Sequence, residues 1–126
     1  MAKYKFRVEV EPQYLPDQSA PAEGLFSFAY TITITNTGEV SAQLISRHWI
    51  IANAAGEMEE VKGLGVVGHQ PLLKPGESFQ YTSGCRLRTP AGTMQGSYFC
   101  VAEDGTRFDV EIPAFVLDDG TSRVLH

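Results

Sequence analysis

Hydrophobic and polar residues alternate with a period of two along most of the chain. Residues 3–10 and 26–34 each place an apolar side chain at every second position, between charged, polar or small ones. Because successive side chains of a strand point to opposite faces, this pattern predicts half-buried β-strands. Turn signals such as Asn36-Thr37-Gly38 separate these segments, and no segment combines a helical period with capping residues. The pattern therefore predicts an all-β fold, a sandwich or a barrel of about seven to nine short strands.

The apolar run from Val40 to Asn53 is the segment in which a helix competes with a strand. Ala42, Leu44 and Ile45 would fit one face of a helix. The remainder of the run is rich in β-branched and aromatic side chains, which pack well on a pleated surface. We therefore predict a strand that closes at a turn over residues 53–56.

A first hairpin is predicted around the loop Thr89-Pro90-Ala91-Gly92. Opposed residues of an antiparallel pair point to the same side, so this loop places Leu87 opposite Met94 and Tyr81 opposite Cys100. In this register Cys85 and Cys100 lie about 13 Å apart, which is too far for a disulfide or a shared metal.

A second hairpin is predicted at the turn formed by residues 103–106. A two-residue loop would place Cys100 opposite Asp109, on the buried face. A longer loop, with Gly105 in a bulge, pairs Cys100 with Val110 and Tyr98 with Ile112. The longer loop keeps one continuous apolar face, and it is therefore preferred.

The composition is that of one soluble domain, and we expect residues 1–126 to form a single unit. The chain has 126 residues, of which 10 are basic and 15 acidic, with a formal net charge of -5. An acidic balance argues against a nucleic-acid partner. No apolar run approaches the roughly 20 residues of a membrane span, and no signal sequence follows the N-terminus, so we expect a cytoplasmic protein with no membrane partner.

The segment Gly63-Leu64-Gly65-Val66-Val67-Gly68 matches the pattern G-x-G-x-x-G of dinucleotide-binding folds. In those folds the motif opens a helix whose N-terminus holds the pyrophosphate. Pro71 and Pro75 would disrupt such a helix. We therefore predict that Gly63–Pro71 crosses the surface without a helix, with positive φ at one or more of Gly63, Gly65 and Gly68. A phosphate-binding nest of backbone amides is the alternative.

No pattern of residues indicates catalysis, a metal site or a cofactor. The histidines are scattered, and no spacing typical of zinc or calcium ligands occurs. The serines that could act as nucleophiles, Ser46, Ser83 and Ser97, lack the sequence context of an activated nucleophile. Cys85 and Cys100 fall on the predicted core face, where burial suppresses thiol reactivity. The sequence therefore predicts a protein that is not an enzyme, without a metal site or a cofactor.

A polar surface near the glycine motif is the candidate binding site. Arg86 and Arg88 share the outer face of a predicted strand, and either they are simply solvated or they recognise a partner or an anionic ligand. The candidate binding residues are Gly63, Gly65, Gly68, His69, Gln70, Arg86 and Arg88.

Longer motifs resemble the ApaG family, also known as CorD. The resemblance rests on Ile45–Trp49, Val61–Pro71, Lys74–Glu77, Tyr81–Gly84, Leu87–Tyr98 and Phe108–Phe115, and it covers nearly the whole chain. It implies an immunoglobulin-like, fibronectin type III-like β-sandwich from bacteria, linked to cobalt resistance and magnesium efflux. It implies no catalytic residues. Related domains in a eukaryotic F-box protein and in a partner of DNA polymerase delta resemble interaction modules.

Together, these features predict a non-enzymatic binding or protein-interaction domain whose partner is another protein. A homodimer through an exposed edge strand is a further expectation. The alternative is a binder or sensor of an anionic nucleotide or pyrophosphate ligand, held by the glycine motif with nearby basic side chains.

Overall fold

Eight β-strands and two short 3-10 turns make up the computed structural model, which describes residues 2–121. The strands are β1 (Phe6–Tyr14), β2 (Phe26–Asn36), β3 (Ala42–Asn53), β4 (Met58–Leu64), β5 (Leu72–Leu73), β6 (Ser78–Leu87), β7 (Ala91–Ala102) and β8 (Arg107–Asp118). The 3-10 turns, Pro16–Gln18 and Pro21–Glu23, lie in the proline-rich connection between β1 and β2. Among residues 2–121, no helix is long and apolar enough to span a membrane.

The strands form two antiparallel sheets that pack face to face. One sheet has the order β1-β2-β6, and the other has the order β4-β3-β7-β8, with the short β5 beside β3. The predicted all-β sandwich is thus confirmed. The run from Val40 to Asn53 forms a strand, as its β-branched and aromatic side chains indicated.

The core lies between the two sheets and is formed by the inward-facing side of each alternating strand. Phe28, Ile32 and Ile34 of β2 meet residues such as Leu44 and Tyr98 of the other sheet, and all five are almost fully buried. Burying one large apolar side chain stabilises a fold by roughly 1.5–3 kcal/mol relative to leaving it exposed. The side-chain alternation read from the sequence therefore accounts for the position of this core.

The first predicted hairpin is wrong, because β6 and β7 belong to different sheets. Tyr81 of β6 faces Ile32 of β2, whereas Tyr98 of β7 faces Arg47 of β3. The chain after Leu87 crosses from one sheet to the other instead of reversing within one. Alternation identifies which side chains face the core. It does not show whether two core-facing residues are paired on neighbouring strands of one sheet or packed against each other from opposite sheets.

The second predicted hairpin forms, but its register differs from the preferred one by two residues. The loop has three residues, since the amide of Ala102 donates to the carbonyl of Thr106 (2.8 Å) and that of Gly105 donates to Ala102 (2.9 Å). Cys100 therefore faces Phe108 instead of Val110, and Tyr98 faces Val110. A shift of two residues preserves which side chains face the core, so the apolar pattern could not separate the two registers.

The two sides of the sandwich close differently. On one side β1 packs against β8, where the Tyr4 and Phe6 rings lie 5.7 and 5.9 Å from the Phe108 ring, measured between centroids. On the other side the edge strands are β4 and β6, and the space between them is an open cleft with a volume of about 410 Å³. This open side carries the features that bear on function.

Candidate functional site

The glycine motif begins at the end of β4 and continues as a loop over residues 65–71, called here the glycine loop. No helix forms, and φ is 66° at Gly65 and 84° at Gly68, which confirms the predicted conformation. Gly63 lies within β4. Between the exposed Val67 and the end of β4, Val66 is fully buried and anchors the loop to the core.

The glycine loop is attached to an irregularity in β3, where the register shifts between Leu44 and Ser46. The carbonyl of Ile45 accepts hydrogen bonds from the Gly65 amide (2.8 Å) and from Gln70 Nε2 (2.9 Å). These bonds connect both ends of the loop to one backbone carbonyl. Gln70, predicted as a binding residue, therefore has a structural contact in this conformation.

Three of the six loop amides, those of Gly65, Val66 and His69, have partners within the chain. The amides of Val66 and His69 donate to each other's carbonyls, at 2.8 and 2.9 Å, and the Gly65 amide donates to Ile45. Within residues 2–121, the amides of Val67 and Gly68 make no hydrogen bond. Two adjacent amides are thus free to meet a ligand, fewer than the successive donors of a phosphate-binding nest.

The predicted binding residues fall into two separate groups. Arg86 and Arg88 are exposed and line a depression beside Met58 and Glu59, at the beginning of β4. The glycine loop follows the other end of β4, about 20 Å away at the usual rise per residue. His69 lies in the second group, with its ring 5.6 Å from that of Phe79. The structure therefore does not bring the two arginines to the glycine motif.

The edge formed by β4, the glycine loop and β5 carries an apolar surface. Five large apolar side chains are strongly exposed in the described part of the chain, and four of them lie here. Their exposed fractions are 69% at Met58, 75% at Leu64, 52% at Val67 and 60% at Leu72. Met58 lies at one end of β4 and the other three lie at or beyond its other end, and exposed apolar side chains gathered along one edge mark an interaction site more often than scattered ones do.

The backbone of β4 also presents unpaired hydrogen-bonding groups at this edge. The amide of Gly65 donates to Ile45, and the amide of Asn53 donates to Glu57. Inward and outward groups alternate along an antiparallel strand, so the odd-numbered residues from 57 to 65 bond to β3. The amides of residues 58, 60, 62 and 64 and the carbonyls of residues 58, 60 and 62 consequently face outward without a partner, whereas the carbonyl of Leu64 accepts a hydrogen bond from Arg47.

Arg47 is a candidate functional residue that sequence reasoning missed. Its Nη1 donates to the carbonyls of Leu64 (3.0 Å) and Gly65 (2.9 Å), and the residue is half-buried on the side of β3 that faces the other sheet. Strict alternation from Ala42 and Leu44 would have placed Arg47 on the outer face. The irregularity at Ile45 reverses the alternation and turns Arg47 and Trp49 inward.

The cleft between the edges of β4 and β6 is lined by Arg47 together with apolar and polar residues. The other lining residues are Tyr30, Trp49, Ile51, Glu59, Val61, Ser83, Gly84, Cys85, Arg86 and Met94. Burial raises the pKa of Cys85 to about 11, and the carboxylate of Glu59 contributes to the shift. Burial also raises the pKa of Cys100 in the core to about 12. Both thiols are therefore protonated at neutral pH, a poor state for a nucleophile.

On the outer face of the larger sheet, His48 connects two neighbouring strands. Its Nε2 lies 2.5 Å from Glu60 Oε2, and the neighbouring strand places Ser97 directly opposite. No hydrogen bond joins Ser97 to His48 among the described residues. Nor does any group of three His, Cys, Asp or Glu side chains within residues 2–121 lie close enough together to hold a metal ion.

The comparisons with known proteins agree with this architecture. A family model described as the ApaG domain matches residues 16–102. A relative named Protein ApaG from Acidovorax sp. (strain JS42) is 73% identical over 120 residues, covering 94% of this chain and 88% of the relative. A second, from Ralstonia nicotianae (strain ATCC BAA-1114 / GMI1000), is 59% identical over the full length of both chains.

A solved structure is also similar over nearly its full length. The crystal structure of a Bordetella pertussis protein described as ApaA superposes with a TM-score of 0.92 and is 55% identical in sequence. The match covers 94% of this chain and 97% of that one. On these matches of sequence and fold, the chain belongs to the ApaG domain family.

Proposed function

We propose that this chain is a non-enzymatic protein-interaction domain that associates by adding a strand of a second polypeptide to β4. The observation that carries the proposal is the concentration of exposed apolar side chains on one edge, four of the five in the described residues. An added strand would pair with the outward amides and carbonyls of β4 and at the same time cover Met58 and Leu64, at the two ends of that strand.

The charges on β4 restrict which strand can be added. Glu60 and Lys62 stand between the apolar Met58 and Leu64 on the same side of the strand. A lysine in the middle of an edge strand discourages pairing unless a carboxylate lies opposite. The incoming strand therefore needs a basic residue opposite Glu60, an acidic residue opposite Lys62 and apolar residues at both ends.

A second copy of β4 meets each of these requirements. Antiparallel pairing about a two-fold axis at Val61 places Glu60 opposite Lys62 and Met58 opposite Leu64. The amides of these four residues face outward, and the Leu64 carbonyl, which accepts from Arg47, can accept a second hydrogen bond, so both pairs would be hydrogen-bonded. Centring the axis on Glu60 or Lys62 instead would oppose like charges. The occupant of the edge is therefore a second copy of this chain, paired at one register.

Charge exchange tests this register. Sedimentation equilibrium over a range of concentrations should show a dimer, weakened in both Glu60→Lys and Lys62→Glu and restored in the double variant. Favourable cross-strand pairs are worth about 0.2–1 kcal/mol each, and the two-fold axis repeats each pair. Glu9→Lys and Arg7→Glu are matched controls, because these exposed residues form an ion pair on β1 (3.6 Å). Neither control should change the dimer.

Two results would overturn parts of the proposal separately. A chain that remains monomeric at every concentration would exclude the second copy as the occupant. Lys62→Pro removes one outward amide, which an added strand needs as a hydrogen-bond donor. If the chain still associates in this variant, the association does not use strand addition. An association with a different protein that Lys62→Pro abolishes would retain strand addition and replace only the identity of the partner.

The compartment and the wider role belong to the same proposal. Both cysteines are free, which suits the reducing cytoplasm. We place the association there, and we propose that the links to cobalt resistance and magnesium efflux expected from the resemblance operate through it.

A further inference from the structure

The cleft between β4 and β6 contains a cation with a free hydrogen-bonding edge, Arg47. Both N–H bonds of Nη1 are directed to backbone carbonyls, those of Leu64 and Gly65. Nε and Nη2 have no partner among the described residues. In this part of the chain, no buried side-chain nitrogen or oxygen lacks a partner, so these two atoms are open to the solvent-filled space around them.

No carboxylate neutralises this guanidinium. Arg47 takes part in no ion pair within residues 2–121, although it lies between two sheets and is half-buried. Its charge acts on the hydroxyl groups of Tyr30 and Tyr81, which lie on the inner side of the smaller sheet. Arg47 also lines the cleft itself, so its positive charge is available there.

We propose that this cleft is a binding site for a small carboxylate with an apolar body, and that Arg47 holds the carboxylate group. The Nε and Nη2 edge of a guanidinium presents two nearly parallel N–H bonds, which match the two oxygens of a carboxylate. Because Nη1 is held by two carbonyls, this edge is already oriented in the unliganded chain. The proposal is independent of strand addition at β4.

The walls of the cleft select the body of the ligand. Ile51 and Val61 contribute half-buried apolar surface, Trp49 and Met94 line the cleft but are only 3% and 1% exposed, and Tyr30 and Ser83 contribute hydroxyl groups. A volume of about 410 Å³ is within the range of small-molecule sites. Glu59 and the second arginine, Arg86, also line the cleft and contribute one charge of each sign, with no ion pair between them in the described residues. The cleft thus carries a net positive charge beside an apolar wall, which favours an aryl or alkyl carboxylate over inorganic phosphate.

The chain contains its own reporter for this site. Trp49 is the single tryptophan of the sequence, and it lines the cleft. Benzoate is a suitable probe, with benzamide as its uncharged counterpart of similar shape and inorganic phosphate as an anion without an apolar body. Benzoate should change the Trp49 fluorescence in a saturable way. Benzamide and phosphate should bind roughly tenfold to a hundredfold more weakly, since each lacks one of the two features recognised.

Two variants connect the signal to the site. Arg47→Gln should lower the affinity for benzoate by a similar factor, whereas Arg107→Gln, an exposed arginine on β8, should not change it. Ile51→Phe should also weaken benzoate binding, because it fills the cleft from β3 without removing a hydrogen bond of Arg47 or changing the β4 edge. Thermal denaturation of each variant establishes that it is folded.

The proposal would be overturned by equal affinities for benzoate and benzamide, or by unchanged affinity in a folded Arg47→Gln variant. An absence of any saturable change in the wild-type chain up to the solubility limit of benzoate would overturn it as well. Failure of these titrations would leave the dimer test unaffected, and a monomeric chain would leave these titrations unaffected.

Discussion

The guanidinium of Arg47 lies against Gly63, the residue of β4 that faces it and has no side chain. A Cβ atom at Gly63 would lie 2.8 Å from both Nη1 and Nη2 of Arg47. Real Cβ contacts are longer, so a side chain at this position has to displace the guanidinium. The first glycine of the G-x-G-x-x-G motif therefore makes room for a cation of the same protein.

Gly63→Ala should displace Arg47 without unfolding the chain, because the group that must move is the end of a flexible side chain. We expect a loss of about 1–3 kcal/mol in the free energy of unfolding, from the two hydrogen bonds to the carbonyls of Leu64 and Gly65. Urea denaturation measures this loss. The benzoate-dependent change in Trp49 fluorescence should be reduced together with it. A variant with full stability and full benzoate response would contradict the positioning of Arg47 by Gly63.

Gly65→Ala should destabilise the chain more than Gly68→Ala does. Both glycines have positive φ, at 66° and 84°, but only at Gly65 would a Cβ approach another backbone, 2.5 Å from the carbonyl oxygen of His69. Positive φ costs an alanine of order 1–2 kcal/mol at either position, and the clash adds to this at Gly65. Thermal and urea denaturation of the two variants measure the effect of the contact with the His69 carbonyl. Equal losses of stability in the two variants would show that this contact is unimportant.

The hydroxyl groups of Tyr81 and Tyr98 share a hydrogen bond of 2.5 Å across the buried interface of the two sheets. Tyr81→Phe or Tyr98→Phe leaves one buried hydroxyl without its partner, which costs about 1–3 kcal/mol of folding free energy. The double variant Tyr81→Phe/Tyr98→Phe should lose less than the sum of the single losses, because neither hydroxyl then remains unpaired. Additive losses in urea denaturation would argue against a coupled pair.

Asp104 should make the stability of the chain depend on pH in the acid range. Hydrogen bonds from Tyr4 Oη and from Thr106 lower its pKa to about 2. A lowered carboxyl pKa stabilises the folded state above the unfolded value, near 3.9, and this contribution disappears as the pH falls through about 2. Denaturation should therefore show a loss of stability between about pH 4 and pH 2 that is smaller in Tyr4→Phe. An identical profile in Tyr4→Phe would exclude this contribution.

Several features of the fold could be predicted because they are local. Alternation gave the core-facing side of the regular stretches of strand, such as β2, since the period of two is a property of the extended backbone itself. The absence of a helix after Gly63 followed from Pro71 and Pro75, because proline has no amide hydrogen and its ring clashes with the preceding turn. Positive φ at Gly65 and Gly68 likewise agrees with the freedom of a residue without Cβ.

The pairing of strands was decided by the tertiary structure. Tyr81 and Tyr98 face the core in any arrangement that respects alternation, so the pattern is equally satisfied by one ladder or by two opposed sheets. Only the packing of the complete set of strands distinguishes the two arrangements, and it places β6 beside β2 and β7 beside β3. That choice also makes β4 and β6 the edges of an open cleft.

The candidate site also depends partly on local sequence and partly on the tertiary structure. The sequence by itself determined that a glycine-rich, helix-free segment follows residue 63 and that basic residues occur at positions 86 and 88. Only the folded chain separates those arginines from the glycine loop and brings Arg47 to Gly63. The physical reason is the irregularity at Ile45, where one extra residue reverses the alternation of β3. Its position depends on how β3 pairs with β7, and no local pattern encodes that pairing.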